Sequence, residues 1–234
     1  MQRLDKLLTQ SGMYTRSEAR LIIRDGRAAV DGAVVRRPEE KCRDDAAITV
    51  DGTPVNCAKF RYFMMDKPAG VLSATDDKSQ QTVLDLLPRE IQALGLFPVG
   101  RLDKDTTGLL ILTNDGDLAH RVISPKHGVI KTYIAETETP VGEDAVRDFA
   151  EGVELADGTK CLPAVLAPLE GQRCRVEVGE GKYHQVKRML AACGHPCVAL
   201  RRVKEGELEL DESLGPGGFR ELRQFEISLL FSSS

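Results

Sequence analysis

Phe97-Pro-Val-Gly-Arg-Leu-Asp-Lys-Asp-Thr-Thr-Gly-Leu-Leu-Ile-Leu-Thr-Asn-Asp-Gly116 is the most informative stretch of the chain. Its polar turn, Gly100-Arg-Leu-Asp103, leads directly into the apolar run Leu109–Leu112, which we predict to be a strand. A carboxylate at such a junction is held by a rigid element while it faces a cleft, which suits catalysis. Asp103 and Asp105 could equally stabilise the turn through local hydrogen bonds to the backbone. These residues alone leave both interpretations open.

Other chemistries find little support in the sequence. Asp103 and Asp105 have the spacing of a magnesium pair, but no GxxxxGK[ST] loop or further acidic cluster completes such a site. The chain has no GxSxG nucleophile elbow and no GxGxxG dinucleotide loop. Cys193-Gly-His195-Pro-Cys197 fits no zinc spacing, so we interpret the six cysteines as reduced and mostly buried. We therefore expect no metal and no cofactor.

The elements around this stretch predict an α+β domain with a largely antiparallel or mixed sheet and flanking helices. The predicted strands are Arg61–Asp66, Gly108–Thr113, Lys131–Glu136, Ala164–Pro168, Arg173–Val178, Val198–Val203 and Glu207–Leu210. The predicted helices are Thr82–Leu87, Asp117–Ile123, Glu143–Ala150, His184–Ala192 and Arg223–Leu230. Residues 53–60 are interpreted as a linker, with domains at 1–58 and 59–234.

The first 37 residues predict two helices and a hairpin. Leu4, Leu7 and Leu8 share one helical face, and Gly12 ends that helix. Thr15-Arg-Ser-Glu18 is a capping box that begins a second helix. This helix buries Ala19, Ile22 and Ile23, directs Arg16, Arg20, Arg24 and Arg27 largely outward, and ends at Asp25-Gly26. Asp31-Gly32 between two short apolar runs predicts a hairpin.

Basic residues are concentrated in two places, although the net charge of the chain is −4. Residues 1–37 carry eight Lys and Arg against four acids, and residues 181–204 carry six basic residues and no acid. This distribution indicates that a polyanion is bound at chosen places. In the predicted helix from His184, the residues Lys187 and Arg188 share a basic face, whereas Val186, Met189, Leu190 and Cys193 face inward. A basic residue there could contact phosphates or keep a buried carboxylate ionised.

The composition is that of an ordinary globular protein. Hydrophobic residues make up 41% of the chain and charged residues 29%, and no apolar run reaches the 18 residues of a membrane span. The N-terminus lacks the apolar stretch of a signal peptide. We expect a cytoplasmic protein that contacts no membrane.

Two resemblances organise these observations. Residues 1–52 resemble the S4 RNA-binding module through Arg3-Leu-Asp-Lys6, Ser17-Glu-Ala-Arg20, Gly26-Arg27 and Val30-Asp-Gly32. Gly100-Arg-Leu-Asp103 with Gly108-Leu109 resembles the signature of the ribosomal small-subunit pseudouridine synthase A group, in which an S4 module in front is usual. Asp66-Lys-Pro-Ala-Gly70, Lys131-Thr-Tyr133 and Tyr183-His-Gln-Val-Lys-Arg-Met189 agree in order.

The resemblance implies roles for individual residues. Asp103 would be the catalytic carboxylate, acting either as a nucleophile at C1′ or as a base at C2′. Tyr133 would pack on the flipped base, and Lys187 would pair with Asp103. Arg101 would help to open the RNA and replace the extruded nucleotide. The implied RNA-binding residues are Arg101, Arg188, His184, Arg3, Lys6, Arg16, Arg20, Arg24 and Arg27.

The resemblance also implies a target. It favours isomerisation of one uridine in 16S ribosomal RNA, of the uridine-516 type, free or in an assembling small-subunit particle, by a monomer. Tyr183-His-Gln-Val-Lys-Arg-Met189 favours the small-subunit group over the alternative of a 23S enzyme from the same superfamily. A second alternative is a non-catalytic ribosome-assembly protein that uses the S4-like module alone. The presence of Asp103, Tyr133 and Lys187 together argues against it.

Overall fold

A computed structural model describes residues 1–231, whose contacts divide them into two units. The first unit, called the front unit below, comprises Met1–Arg61 and Leu87–Leu96. The second, called the rear unit, comprises Tyr62–Leu86 and the chain from Phe97 onward. A domain division after residue 58 stays a prediction. No helix within residues 1–231 combines the length and the apolar content that a membrane crossing requires.

The front unit contains the predicted pair of helices and the predicted hairpin. Its elements are β1 (Gln2–Arg3), α1 (Leu4–Gln10), α2 (Arg16–Arg24), β2 (Ala28–Val30), β3 (Ala33–Val34), β4 (Lys41–Cys42), β5 (Ile48–Val50), β6 (Thr53–Pro54) and α3 (Arg89–Gln92). The capping box between Thr15 and Glu18 is present at the start of α2. Asp31 and Gly32 both have positive φ, as a two-residue hairpin turn requires. The six apolar residues predicted to face inward are all buried.

The interpretation of residues 53–60 as a linker is wrong for its first half. Thr53 and Pro54 form β6, which pairs with β5 in a four-stranded sheet of order β3-β2-β5-β6. Val55 and Cys57 are buried in the core of the front unit. Asp51-Gly52 supplies a second positive-φ turn, and Pro54 is tolerated because β6 is an edge strand.

The rear unit is built on one mixed sheet. Its helices and strands are β7 (Tyr62–Lys67), β8 (Phe97–Pro98), β9 (Thr107–Thr113), α4 (Gly116–Ile123), β10 (Lys131–Thr137), α5 (Glu143–Glu151), β11 (Val165–Pro168), β12 (Arg173–Val178), α6 (Gln185–Ala192), β13 (Cys197–Glu205), β14 (Leu208–Glu209), β15 (Phe219–Glu221) and α7 (Gln224–Leu229). The strand order is β11-β12-β10-β13-β9-β7-β15, with β14 beside β13 and β8 beside β9. Only the β9–β13 pair among these described strands is parallel. The predicted fold class is confirmed.

Two predicted helix positions need correction. Thr82–Leu87 contains only a 3-10 turn, Leu84–Leu86, because Pro88 follows and disfavours a helical conformation at Leu87. His184 precedes α6 in a left-handed conformation rather than forming its first turn. The short strands β8 and β15 were not predicted, since each pairs for only two or three residues.

Helices cover the sheet in two separate apolar clusters. One cluster packs α5 and α6 against β10 and β12, with Phe149, Val176 and Met189 at its centre. The other packs α4 and α7 against β9 and β7, around Leu109 and Ile111. The parallel pair β9–β13 lies between the two halves, so a residue that fixes this pair also fixes the position of one half relative to the other.

Gly108 is such a residue. Its φ is +100°, and a Cβ at this position would stand 2.1 Å from the backbone oxygen of Arg202 on β13. Arg202 is the Cα partner of Gly108 in the parallel pairing. Only a residue without a side chain allows this approach of the two backbones.

We expect Gly108→Ala to destabilise the rear unit by about 2 kcal/mol or more, because it combines a steric clash with an unfavourable φ. Gly116→Ala is the matched control, since a Cβ there meets nothing within 4 Å. Urea unfolding of both variants measures the difference. Equal midpoints for the two would contradict the role assigned to Gly108.

Candidate active site

Asp103 lies in the loop between β8 and β9, at one edge of a small cavity in the rear unit. Its two carboxylate oxygens contact different partners. Oδ1 lies 3.3 Å from Nε2 of His184, and Oδ2 lies 3.3 Å from Nζ of Lys187. The carboxylate is a quarter exposed, so it is open to a ligand in the cavity.

Lys187 projects from α6 and is shared by two carboxylates. Its Nζ donates to Oδ1 of Asp105 at 2.5 Å in addition to its contact with Asp103. Burial lowers the pKa of Lys187, but the two carboxylates outweigh burial and raise it. Hydrogen bonding to Lys187 lowers the pKa of Asp105. The cation is therefore retained, and Asp103 keeps a positive neighbour.

Tyr133 projects from β10 into the same cavity, which has a volume of about 80 Å³. The cavity is also lined by Arg101, Leu200 and Val178. The ring of Tyr133 is partly exposed, whereas burial around its hydroxyl raises the pKa of the phenol. The structure thus brings the three residues predicted to be catalytic, Asp103, Tyr133 and Lys187, to one place.

Arg202 and Glu205 form a buried pair behind Tyr133 that the sequence did not single out. The guanidinium of Arg202 donates through Nε to the Leu109 carbonyl at 2.8 Å and lies 3.6 Å from the Glu205 carboxylate. Its positive charge lies close to the Tyr133 hydroxyl and partly offsets the effect of burial on the pKa of Tyr133. The only available sequence signal was an arginine and a glutamate in an otherwise ordinary strand.

Lys67 is completely buried and hydrogen bonds to the backbone of the loop that carries Asp103. Its Nζ donates to the backbone oxygens of Pro68, Lys104 and Thr106 at 2.9 to 3.2 Å. Gly70 donates its N–H to the Lys104 oxygen as well. The motif Asp66-Lys-Pro-Ala-Gly70 contributed to the family resemblance, but the sequence alone does not show that its lysine binds backbone carbonyls.

Burial dominates the titration of Lys67. It lowers the pKa to about 8, although Asp105 and Asp103 act in the opposite direction. An ammonium group has three donors, which match the three carbonyls. Loss of one proton would leave one of these buried carbonyls without its donor.

The segment before α6 is held by Glu180, which is buried. Its carboxylate accepts from the backbone N–H of Leu162 and from the side-chain amide of Gln185, and it pairs with Lys182. Gln185 in turn accepts from the backbone N–H of Lys182. These bonds fix the turn that places His184 beside Asp103, so His184 lies in the cavity wall.

The other residues predicted to bind RNA occupy different environments. Arg188 pairs with Asp157 at 2.5 Å and does not contact Asp103. Arg101 is exposed at the cavity. In the front unit Arg3 and Arg20 both bind the buried Asp5, and Arg27 binds Asp51. Lys6, Arg16 and Arg24 are exposed and form no ion pair within residues 1–231.

A larger cavity, of about 790 Å³, lies on the opposite face of the sheet, where Thr132 and Ile134 flank Tyr133 along β10. None of the motif residues 100–108 or 183–189 lines it. No cluster of three metal-ligating side chains occurs among the described residues. All six cysteines are free thiols, and burial raises the pKa of Cys57, Cys174, Cys193 and Cys197 to about 11.

Comparison with known proteins identifies this arrangement. Residues 61–192 match the RNA pseudouridylate synthase family, and residues 2–48 match the S4 domain. The chain belongs to the RNA pseudouridylate synthase family. The predicted resemblance and the presence of an S4 module are confirmed.

Individual relatives of this pseudouridine synthase align over nearly its whole length. The uncharacterized RNA pseudouridine synthase YtzG of Bacillus subtilis is 43% identical, covering 97% of this chain and 98% of that protein. Ribosomal small subunit pseudouridine synthase A of Escherichia coli is 42% identical, with the same coverage of both chains. A solved structure described as pseudouridylate synthase has a TM-score of 0.70 and 37% identity, covering 98% of this chain and all of that chain.

Lys67 gives this synthase a distinctive dependence of stability on pH. Between pH 8 and 10.5 Lys67 holds a proton in the unfolded chain that it has lost in the folded chain, so the contribution of Lys67 to the free energy of unfolding rises with pH. The contribution is at most about 1.4 kcal/mol per pH unit. Urea unfolding of wild type and Lys67→Met at pH 7.5, 9 and 10 tests this, since the stability of the wild type relative to the variant should rise with pH while the other titrating groups act equally on both. Parallel pH profiles for the two proteins would contradict it.

Proposed function

We propose that this protein isomerises one uridine to pseudouridine in 16S ribosomal RNA, at a site of the uridine-516 type, with Asp103 as the catalytic carboxylate. The observation that carries the proposal is that Asp103, Tyr133 and Lys187 line or border one cavity. The chain belongs to a family of RNA pseudouridylate synthases, and its relatives with nearly full-length alignments include enzymes named for the small ribosomal subunit.

On the ribose side, Asp103 faces the C1′–C2′ edge of the extruded nucleotide. Cleavage of the N1–C1′ bond leaves uracil with an electron pair and the ribose short of one. Asp103 either forms a bond to C1′ or removes the C2′ proton to give a glycal, and either route is reversed when C5 bonds to C1′. Lys187, 3.3 Å from Oδ2, stabilises the carboxylate before it reacts.

On the base side, Tyr133 packs against the uracil ring, a contact worth about 1–3 kcal/mol. After C5 has bonded to C1′, the C5 proton leaves and N1 gains a proton, so the atoms of substrate and product balance. The Tyr133 hydroxyl takes part in this transfer, and the positive charge of Arg202 next to it favours the ionised form of the phenol. The isomerisation consumes no oxidant, reductant or nucleotide.

The target must leave its stack before Asp103 can reach it. Extrusion costs a few kcal/mol, which binding of the surrounding RNA has to offset. Arg101, exposed at the cavity mouth, is placed to occupy the space of the extruded nucleotide. The S4 domain supplies backbone contacts in the front unit through Lys6, Arg16 and Arg24. We propose that one monomer acts on the RNA, free or in an assembling particle.

The proposal predicts different outcomes for two neighbouring carboxylates. Asp103→Asn should lower isomerisation on the order of a thousandfold or more, because it removes the reacting group. Asp105→Asn is the matched control, since it loses the same lysine partner but is 76% exposed, and it should stay within about fivefold of wild type. Both variants should bind RNA as the wild type does.

The measurement is pseudouridine mapping of 16S and 23S RNA from a strain that lacks the gene, complemented with wild type or either variant. We expect one 16S position to lose its modification, and to regain it with wild type and Asp105→Asn only. Loss of a 23S position instead would select a large-subunit enzyme. Restoration by Asp103→Asn would refute the catalytic assignment.

Charge in the front unit should appear in the salt dependence of RNA binding. We expect Arg16→Gln and Arg24→Gln each to reduce the slope of log affinity against log salt by roughly one if each contacts a phosphate. Arg147→Gln, on α5 and already paired with Asp144, is the control and should leave the slope unchanged. Unaltered slopes for both front-unit variants would exclude them from the RNA interface.

A further inference from the structure

Two adjacent aromatic side chains stack on each other at the rim of the catalytic cavity. The rings of Tyr183 and His184 are 3.8 Å apart between centroids, with planes inclined by 19°. His184 lines the cavity, whereas Tyr183 is 75% exposed. One face of the Tyr183 ring is therefore covered by the imidazole, and the other is open.

The backbone adopts a sparsely populated conformation to make this stack. His184 has φ 48° and ψ 36°, the left-handed region that residues other than glycine rarely occupy. Such conformations persist only where the surroundings enforce them, and they are concentrated at functional sites. Side chains of consecutive residues do not stack in a regular helix, so the left-handed turn is what brings the two rings together.

The stack is fixed on both sides. Nε2 of His184 contacts Asp103, and its backbone oxygen accepts from the N–H of Arg188 at 3.0 Å. The Arg188 guanidinium also donates to the backbone oxygen of Tyr183 at 3.3 Å. An exposed tyrosine is normally a mobile side chain, but here its carbonyl is held by Arg188 and one face of its ring is occupied.

We propose that the open face of Tyr183 is a stacking platform for an unpaired RNA base that neighbours the flipped uridine. This inference rests on the proposed function. Extruding the uridine towards Asp103 removes a stacking partner from its neighbour in the strand. The open face of Tyr183, whose neighbour His184 contacts Asp103, replaces that stacking partner. The ligand class is a nucleobase of any identity, since every base has a π face.

The charge around the stack agrees with this ligand. Residues 181–204 contain no acid, and Lys182, Lys187 and Arg188 lie within five residues of Tyr183 and His184 along the chain. These cations are paired with Glu180, Asp103 and Asp105, and Asp157, so the immediate surface is balanced rather than strongly basic. Base stacking, which does not depend on net charge, fits such a surface better than a phosphate site does.

The test compares Tyr183→Leu with Tyr183→Phe. Affinities are measured by fluorescence anisotropy on a labelled rRNA fragment that spans the mapped uridine. Four further fragments carry an abasic ribose at one of the two positions on either side of it. On the intact fragment we expect Tyr183→Leu to bind roughly tenfold more weakly and Tyr183→Phe to bind like wild type. Phe225→Leu, another exposed aromatic of the rear unit, should have no effect.

The abasic fragments locate the stacked base. With the abasic ribose at one of the four positions, the affinity of wild type should fall by the same tenfold, and the affinity of Tyr183→Leu should fall no further. With the abasic ribose at any of the other three positions, Tyr183→Leu should still bind tenfold more weakly than wild type. The salt slope and the single-turnover rate at saturating enzyme should match wild type. Equal binding by Tyr183→Leu, a defect of equal size on all five RNAs, or a defect in Tyr183→Phe would each overturn the platform.

The outcome separates this inference from the proposed function. If the Tyr183→Leu defect disappears on one abasic fragment but Asp103→Asn still isomerises the uridine fully, only the catalytic assignment is refuted. Loss of isomerisation in Asp103→Asn without any such coupling would refute only the platform. Because Tyr183 is exposed, its variants should keep the wild-type unfolding midpoint, which confirms that any change in affinity arises at the surface.

Discussion

A single ammonium group under the loop between β8 and β9 determines where the Asp103 carboxylate lies. Lys67 ends β7, is completely buried, and donates to three backbone oxygens, two of which belong to residues 104 and 106. Asp103 precedes the first of these by one residue. Burial of an ammonium group is costly unless its donors are satisfied, and the loop carbonyls satisfy them. The loop conformation and the charge of Lys67 therefore depend on each other.

Positive and negative charges alternate from below this loop to the helix above it. Lys67 lies below, Asp103 and Asp105 lie in the loop, and Lys187 lies on α6 above. Asp105 binds Lys187 more closely than Asp103 does, at 2.5 Å against 3.3 Å. Lys187 is thus shared by an exposed carboxylate, Asp105, and by Asp103, which lies on the cavity side.

Local sequence patterns predicted the elements well where a short motif determines the backbone. The capping box at Thr15 and the Asp31-Gly32 turn are cases in which side-chain chemistry acts within four residues. The same reasoning applied to Asp51-Gly52 would have found β6, which the interpretation of residues 53–60 as a linker left out. The helix predicted from Thr82 is limited to one 3-10 turn because Pro88 disfavours a helical conformation at Leu87.

The site could be predicted only as far as its motifs extend. Asp103, Tyr133 and Lys187 were found through resemblance, and the structure brings them together. Arg202 was missed because its bond to the Leu109 carbonyl and its position opposite Tyr133 on β10 join residues that are distant in sequence, and Glu205 was missed with it. The left-handed turn at His184 was also missed, because a positive φ is uncommon for any residue other than glycine and the sequence gives no local signal for it here.

The front unit shows how far a count of basic residues overstates the charge available to RNA. Burial would raise the pKa of Asp5, but Arg3 and Arg20 outweigh burial and hold it low, so these arginines already neutralise an acid. Arg27 is likewise engaged by Asp51. An RNA phosphate would have to compete with these carboxylates, whereas exposed cations such as Arg16 and Arg24 exchange only water and counterions for it. A few unpaired cations on an acidic protein favour binding at chosen phosphates over coating of any RNA, which agrees with the single-uridine target proposed for this protein.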